Sequence, residues 1–305
     1  MINKLALLLS FVQDKRGVFI DKLVRVCKEL DTGLDLYLDS GAFTAMMSGN
    51  PIRLEQYAAF LEQNASYATW YANLDSIGDS VETLQNQRRL ESMGFHPVPV
   101  FHQGSSTDIF RSMLYEYSGK IALGGIAGKP RWMFPLFLKA CAEICRETPT
   151  DKDNHLHLFG VTPTKEICEI HQWGSFDSSI GAGYRWNRVM SPYGTAVALS
   201  SLKSLRNKSI LINSFKKQLS LSQRTLDIIE EAKKPTRGYD SGSFWDAVSM
   251  LCTIKVVQDI LDTVECDALY YTVFSPIKSP YLEMIISGAK DIYENRNNTN
   301  KSDRL

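Results

Sequence analysis

The sequence predicts an α/β fold, specifically a (β/α)8 TIM-like barrel with a basic, mainly helical C-terminal region. Three observations support this expectation. Apolar runs of strand length alternate at least six times with amphipathic helical patterns, as in parallel sheets. The connections between them are short, and 305 residues are enough for a barrel that forms one domain. We therefore predict one domain over residues 1–290 and a polar tail over residues 291–305.

The strand that ends at Asp39 is the most clearly patterned element. Residues 34–38 alternate leucine with polar or aromatic residues, which is the two-residue period of a strand with one buried face. Asp39 then stands at the carboxyl end of this strand, before Ser40 and Gly41. An aspartate before glycine is also ordinary turn chemistry. Asp39 becomes a site candidate because polar residues end several later strands as well.

The other elements follow in chain order. Predicted strands cover residues 4–11, 67–74, 97–101, 120–123, 155–159 and 174–177. Predicted helices cover residues 18–30, 51–62, 80–93, 107–117, 132–145, 163–171 and 244–264. Capping residues support several boundaries, since Asn50 and Pro51 suit a helix start and Gly94 suits a helix end. The position of the eighth strand is left open.

The balance of charge limits the kinds of partner that the chain can attract at long range. It carries 34 basic and 34 acidic side chains. A net charge of zero excludes a global field that would draw the protein to nucleic acid or to a membrane, so a polyanion site has to be a local patch. Residues 201–240 hold nine basic and four acidic side chains. We expect this basic region to pack on the barrel.

The six cysteines are scattered, and no apolar run reaches the length that spans a membrane. With no pattern of a secretory signal either, we expect a cytoplasmic protein with reduced thiols. After residue 177 the chain has only two cysteines, Cys252 and Cys266, and no histidine follows His171. The C-terminal part of the chain therefore cannot supply the four ligands of a structural zinc site. Core packing explains the cysteines on the predicted barrel helices, and we expect no bound metal.

Polar residues or glycines end most of the predicted strands. They are Asp39, Asp75, Gln103, Gly104, Gly124, Gly125, Gly160 and Asp177. In a barrel, these ends surround one mouth. A carboxylate there can accept the N1–H and 2-amino groups of a guanine-like base, an amide can bind its carbonyl edge, and a Gly-Gly turn lets the backbone approach a flat ring. A second carboxylate can attack an anomeric carbon, and a third can transfer protons.

These strand ends resemble motifs of the tRNA-guanine transglycosylases, and particularly of their shorter relatives that insert 7-deazaguanines into DNA in phages and bacteria. Residues 38–43 (Leu-Asp-Ser-Gly-Ala-Phe) are similar to the family's Asp-Ser-Gly-Gly-Phe motif, and residues 100–104 (Val-Phe-His-Gln-Gly) to its Val-Gln-Gly segment. Residues 121–128 resemble its Gly-Gly-Leu-Ala-Val-Gly loop, and residues 175–178 (Ser-Phe-Asp-Ser) its Phe-Asp-Cys segment. Further matches, in family order, lie at residues 73–75, 157–161 and 184–188.

The resemblance implies a role for each matched residue. Asp177 would be the nucleophile, and Asp39 would be the general acid/base. The base would be bound by Asp75, Gln103, Gly104 and Gly125. Arg185 and Arg188 are candidate phosphate contacts, and solvated surface side chains are the alternative interpretation for both.

Several aromatic residues and histidines have less specific expectations. A ring that stacks on the base is expected above the pocket, with Phe43 and Tyr184 as the candidates. His102 is expected to point away from the site, because it neighbours Gln103 in an extended segment. His155 and His157 are expected to pack at the bottom of the barrel, and Trp132 in the core or an interface.

Departures from the family favour DNA over tRNA as the polymer. The family's tRNA enzymes carry a zinc subdomain whose ligands this chain lacks, and residues 178–181 replace the Cys and Pro-Thr-Arg that follow their nucleophile. The resemblance therefore implies a pentosyltransferase that exchanges guanine in DNA for a free 7-deazaguanine, such as a preQ0-type 7-cyano base, through a covalent Asp177–sugar intermediate. It implies no cofactor. Its setting would be the host cytoplasm if it is phage-encoded, where such modification serves restriction evasion.

Three alternatives stay open. The first keeps the chemistry and takes tRNA as the polymer. The second is a non-catalytic accessory subunit, against which the retention of three carboxylates argues. The third is an unrelated barrel hydrolase. A homodimer or a helper protein is also left open as a partner, and a membrane partner is not expected.

Overall fold

A computed structural model describes residues 4–126, 129–130, 132–151, 154–161, 165–171, 176–181, 188–190, 196–198, 219–232, 241–264, 266, 268–274 and 281–302. The strands in these ranges are β1 Lys4–Ser10, β2 Gly33–Asp39, β3 Trp70–Tyr71, β4 Val100–His102, β5 Gly119–Gly124, β6 Asn154–Leu158, β7 Phe176–Gly181, β8 Arg188–Met190, β9 Ala196–Ala198 and β10 Leu269–Phe274. The helices are α1 Val18–Glu29, α2 Ala42–Ser48, α3 Leu54–Asn64, α4 Ser80–Ser92, α5 Thr107–Glu116, α6 Met133–Glu147, α7 Lys165–His171, α8 Gln223–Ala232, α9 Ser241–Thr263 and α10 Leu282–Ser302.

Eight of the strands form one parallel, curled sheet in the order β3-β2-β1-β10-β7-β6-β5-β4. Its two edges meet at a parallel bridge between Ala72, just after β3, and Val98, just before β4. The Val98 N–H donates to the Tyr71 carbonyl at 2.8 Å, and the Asn73 N–H donates to the Val98 carbonyl at 3.0 Å. The predicted α/β class is confirmed, and the arrangement is consistent with a TIM-like barrel.

The eighth strand, which the sequence left open, is β10. It lies between β1 and β7, pairing Phe274 with Leu9 and Leu269 with Asp177. It comes late in the chain, after the antiparallel pair β8–β9 and the helices α8 and α9. Of the basic region 201–240, only residues 219–232 are described; there Thr225 of α8 hydrogen-bonds Ser287 of α10 at 2.7 Å.

Strand β1 shows how the sequence builds two cores at once. Its residues from Leu5 onward are all buried, as expected for a strand covered on both faces. Leu7 and Leu9 belong to an outer cluster with helices α1, α3, α9 and α10. Ala6 and Leu8 belong to an inner cluster with residues of β2, β4, β5 and β10. Alternate side chains therefore fill the inside of the curled sheet and the layer beneath the helices.

Two predicted strand boundaries are wrong, and both affect the site. Strand β7 was expected to end at Asp177, but it begins at Phe176, so Asp177 is its second residue. The polar residues that suggested a strand end are accommodated because the Ser178 hydroxyl donates to the Leu158 and Val161 carbonyls. Strand β3 is only two residues long, so Asp75 lies four residues beyond its end.

The C-terminal helix α10 runs through most of the segment that was predicted as a polar tail. In that segment, the Asp291 carboxylate accepts hydrogen bonds from the Ser222 N–H at 2.8 Å and from the Ser222 hydroxyl at 2.9 Å. No helix in the described part of the chain combines the length and the apolar character needed to cross a membrane.

Candidate active site at the carboxyl end of the sheet

Asp39 lies at the carboxyl end of β2, where the chain turns sharply into α2. Its carboxylate accepts the Gly41 N–H at 3.0 Å. Gly41 has a φ of +80°, and a Cβ there would collide with the Ser10 hydroxyl, so the turn requires glycine. Burial and the negative charge of Asp75 raise the pKa of Asp39 to about 7, against the opposing backbone hydrogen bonds. A carboxyl group with this pKa can give or take a proton near neutral pH.

Asp75 forms a pair with His102 beside Asp39. The His102 Nε2 lies 3.0 Å from one Asp75 oxygen, and the Ser40 hydroxyl donates to the other at 3.3 Å. When the carboxylate is ionised it only accepts hydrogen bonds, and the donor in this pair is then the Nε2–H group of His102. The His102 side chain is 4% exposed and the Asp75 side chain is 10% exposed. The buried His102 Nδ1 has no hydrogen-bond partner among the described residues.

The two carboxylates of this end sit in different environments. Asp75 accepts from two side-chain donors, whereas the donors to Asp39 are backbone N–H groups. Two neighbouring carboxyl groups with different environments are the usual basis for dividing acid and base roles. The arrangement can therefore hold the donor edge of a ligand on Asp75 while Asp39 exchanges protons with it.

Gly124 and Gly125 let the end of β5 lie close to His102. A Cβ on Gly124 would be 2.9 Å from His102 Cδ2, and a Cβ on Gly125 would be 3.0 Å from the Gln103 nitrogen. Gly125 also has a φ of +76°. The glycine pair that the sequence singled out therefore packs against the turn after β4. Its predicted contact with a base stays a prediction.

Replacing Gly124 by alanine is expected to cost about 1–3 kcal/mol of unfolding free energy, because the added methyl group forces His102 to move. Urea denaturation measures this cost. In a His102→Ala background the closest contact is gone and the methyl group meets only Val100 Cγ1, at 3.2 Å, so Gly124→Ala should cost less there. An equal cost in the two backgrounds would show that the contact with His102 is not what excludes a side chain at position 124.

Gln103 and Gly104 lie in the turn after β4 and line a cavity of about 330 Å³ beside α6. The inward-facing residue at this strand end is His102, which contacts Asp75. The expectation that His102 points away from the site is therefore wrong. Alternation allows only one of His102 and Gln103 to face inward, and the register of β4 gives that position to His102, on the face that includes Val100 and Ala122 of the inner cluster.

Asp177 belongs to a different cluster of charged side chains. It is 2% exposed and forms an ion pair with the Lys120 ammonium group. His157 Nδ1 lies 2.5 Å from one of its oxygens, and His155 Nε2 lies 3.2 Å from the other. Burial alone would raise the pKa of Asp177, but His157, His155 and Lys120 together hold it well below its usual range.

This second cluster lies at the amino-terminal end of the sheet. Lys120, His155 and Asp177 are each the second residue of their strands β5, β6 and β7. The Lys120 ammonium group also sits 4.7 Å from the centre of the Trp70 ring, at the start of β3. His155 thus lies at the amino-terminal end of the sheet, as expected, whereas His157, the fourth of the five residues of β6, reaches Asp177 from further along its strand. Residues at this end of such barrels usually serve stability, because the active sites of these barrels lie at the opposite, carboxyl end.

Tyr37 lies between the two clusters. It is fully buried, and its ring centre is 4.5 Å from that of His157. Burial raises the pKa of Tyr37 well above its usual value, and the negative charges of Asp177 and Asp39 raise it further. Its hydroxyl has no hydrogen-bond partner among the described residues. The structure thus brings Asp39 and Asp75 together at the carboxyl end of the sheet. The contacts described for Asp177 are instead with Lys120, His155 and His157.

The remaining candidates are only partly described. Arg185 and Tyr184 lie outside the described residues, and Arg188 starts β8 without a described side chain. Phe43 is half-buried on α2. The cluster of Lys120 with Asp177 was missed as a unit, although the alternation His155-x-His157 was a usable signal of inward-facing polar residues. Within the described ranges, no group of three or more His, Cys, Asp or Glu side chains is placed to hold a metal ion.

Comparison with known proteins adds no assignment to this geometry. No protein-family model matches the chain, and no curated protein matches it. The candidate site therefore rests on its residues and their contacts.

Proposed function

We propose that the protein is a transglycosylase that exchanges guanine in DNA for a free 7-deazaguanine. The observation that carries the proposal is the pair of carboxylates Asp39 and Asp75 at the carboxyl end of the sheet. These are the two positions to which the family resemblance assigns proton transfer and base binding. Their unequal environments suit those two roles, since the pKa of Asp39 is about 7 and Asp75 is held by two side-chain donors.

In this proposal, Asp75 accepts the N1–H and 2-amino groups of the purine, and the Gly124–Gly125 turn allows the flat ring to approach. Asp39 gives a proton as guanine leaves and takes one from the incoming base, which exchanges the two bases on one sugar. The target nucleotide has to leave the duplex stack to reach the site. The alternative polymer, tRNA, would present an unpaired loop and would use the same residues.

The nucleophile is a separate part of the proposal. The resemblance assigns attack on C1′ to Asp177, and its low pKa keeps it in the ionised form that a nucleophile needs. Its ion pair with Lys120 and its burial oppose such a role. For Asp177 to reach a sugar, its carboxylate would have to leave Lys120, His155 and His157, and the sugar would have to pass Tyr37.

The test incubates the protein with labelled 7-deazaguanine and either duplex DNA or tRNA. Incorporation into DNA supports the proposal, incorporation into tRNA alone selects the other polymer, and no incorporation into either contradicts transglycosylation. Asp39→Asn and Asp177→Asn variants, checked for folding by circular dichroism, separate the two roles. A covalent protein–nucleotide adduct, mapped by mass spectrometry to Asp177 or to another residue, decides the nucleophile.

A non-catalytic accessory subunit is the second candidate, and one observation favours it. Asp177 has a physical reason to be present without catalysis, because it is the counter-ion of the buried Lys120. The retention of Asp177 therefore no longer argues against an inactive copy. This candidate predicts that the isolated chain incorporates no 7-deazaguanine. It also predicts that neither the wild type nor Asp177→Asn forms a covalent adduct.

A further inference from the structure

A cavity on the outer side of strand β4 lies next to the candidate site. Its volume of about 330 Å³ is within the range of small-molecule pockets, roughly 300–1,000 Å³. Its lining includes Phe101 and Phe137, which supply ring surface, and Trp132 and Leu136 of the α6 region. Trp132 and Leu136 remain 68% and 60% exposed. Trp132, which the sequence placed in the core or an interface, is therefore a large aromatic surface open to a ligand.

Polar groups accompany this apolar lining. Gln103, Ser105 and Thr107 contribute an amide and two hydroxyl groups from the turn after β4 and the start of α5. No acidic side chain is among the described residues that line the cavity. The exposed Lys129 lies three residues before Trp132 in the sequence. The described lining thus combines aromatic rings, an amide and two hydroxyl groups, with no carboxylate.

The cavity and the candidate site share one short piece of backbone. His102, whose Nε2 contacts Asp75, is followed directly by Gln103, which lines the cavity. The two adjacent residues therefore serve opposite sides of the end of β4. A ligand that extends beyond the candidate site on this side would meet Gln103 and then Trp132.

We infer that this cavity binds an unpaired nucleobase that neighbours the target nucleotide, with its ring stacked on Trp132 and its polar edge on Gln103. The inference rests on the proposed function, because it assumes that a polynucleotide enters the site. A nucleobase has two apolar faces and a hydrogen-bonding edge, which match the ring and the amide. The lining holds no carboxylate that would repel the phosphates of a polynucleotide, whereas a purely apolar partner would leave the Gln103 amide unpaired.

The test measures the affinity of fluorescently labelled single-stranded oligonucleotides by anisotropy, with DNA and RNA of the same sequence as separate arms. We expect Trp132→Ala to weaken binding about tenfold or more, the size of one base–aromatic stack, and Trp132→Phe to retain most of it. Tyr115→Ala is the matched control, because Tyr115 is a 52% exposed aromatic residue near the far end of α5. The Tyr115→Ala variant should bind the oligonucleotides with the same affinity as the wild type.

A series of oligonucleotides with a single abasic site, moved one position at a time, makes the test specific. One abasic position should weaken binding to the wild type and leave binding to Trp132→Ala unchanged, since the stack is already lost. Equal affinities of the wild type and Trp132→Ala, or no binding of DNA or RNA, would overturn the inference.

The failure of this inference can be told from the failure of the proposed function. Wild-type incorporation of 7-deazaguanine with no effect of Trp132→Ala on affinity overturns the cavity assignment alone. Trp132-dependent binding without any incorporation overturns transglycosylation and leaves the cavity as a nucleobase site.

Discussion

Replacing Asp177 by asparagine should lower the free energy of unfolding by roughly 3–5 kcal/mol, because it leaves a buried cation without its counter-ion. Asp177 and Lys120 are almost completely buried, and His155 and His157 contact the same carboxylate. Urea denaturation at neutral pH measures the loss. Asp35→Asn is the matched control, because Asp35 is a half-buried carboxylate that accepts only the Tyr271 hydroxyl among the described contacts, at 3.1 Å.

A double variant separates the ion pair from simple loss of packing. Lys120→Met removes the cation, so Asp177→Asn should cost much less in that background than alone. If Asp177→Asn unfolded at the same urea midpoint as the wild type, the structural role of Asp177 would be contradicted. Catalysis would then remain as the explanation for an aspartate at this position.

The effect of Asp177 on stability also has a defined pH dependence. Its pKa in the folded protein is far below the ordinary value of 3.8. The stability it contributes is therefore fully present above that ordinary value and is lost as the pH falls toward the folded pKa. The difference between the wild type and Asp177→Asn should be large at neutral pH and shrink in acid.

Replacing Asp39 by asparagine should reduce incorporation of 7-deazaguanine by a factor of about 100 to 10,000, which is the usual contribution of a general acid/base. In the wild type, the rate should change around pH 7, where Asp39 titrates. The variant should lose that inflection. Asp75→Asn provides the comparison: it removes the charge that raises the pKa of Asp39, so the inflection of any residual activity should move to lower pH.

The Asp39→Asn substitution should also make the protein more stable at high pH. The pKa of Asp39 is raised from 3.8 to about 7, so its contribution to stability is present below about pH 4 and is lost as the pH rises through 7. Asp39→Asn avoids that loss. Its advantage over the wild type should be near zero at pH 4 and reach up to about 4 kcal/mol at pH 8. Equal differences at the two pH values would show that Asp39 is not held in an environment that disfavours its charge.

The chain pattern predicted most of the local structure. The alternation in residues 34–38 predicted β2 and its end at Asp39, and the strand–helix repetition predicted the α/β class. The spacing of apolar residues along the chain identifies strands and helices because it depends only on residues that are close in sequence. β10 was missed because a long segment separates it from β7 and interrupts the repetition.

The tertiary structure alone decided which polar residues meet. The ion pair of Lys120 with Asp177 joins residues 57 positions apart, and no local pattern specifies such a contact. Whether His102 or Gln103 faces Asp75 depends on the register of β4, since a shift of one residue reverses the face of every side chain. The sequence by itself therefore determined the fold class and the strand end at Asp39. Register and packing between distant strands assigned Asp39 and Asp75 to one end of the sheet and Asp177 to the other.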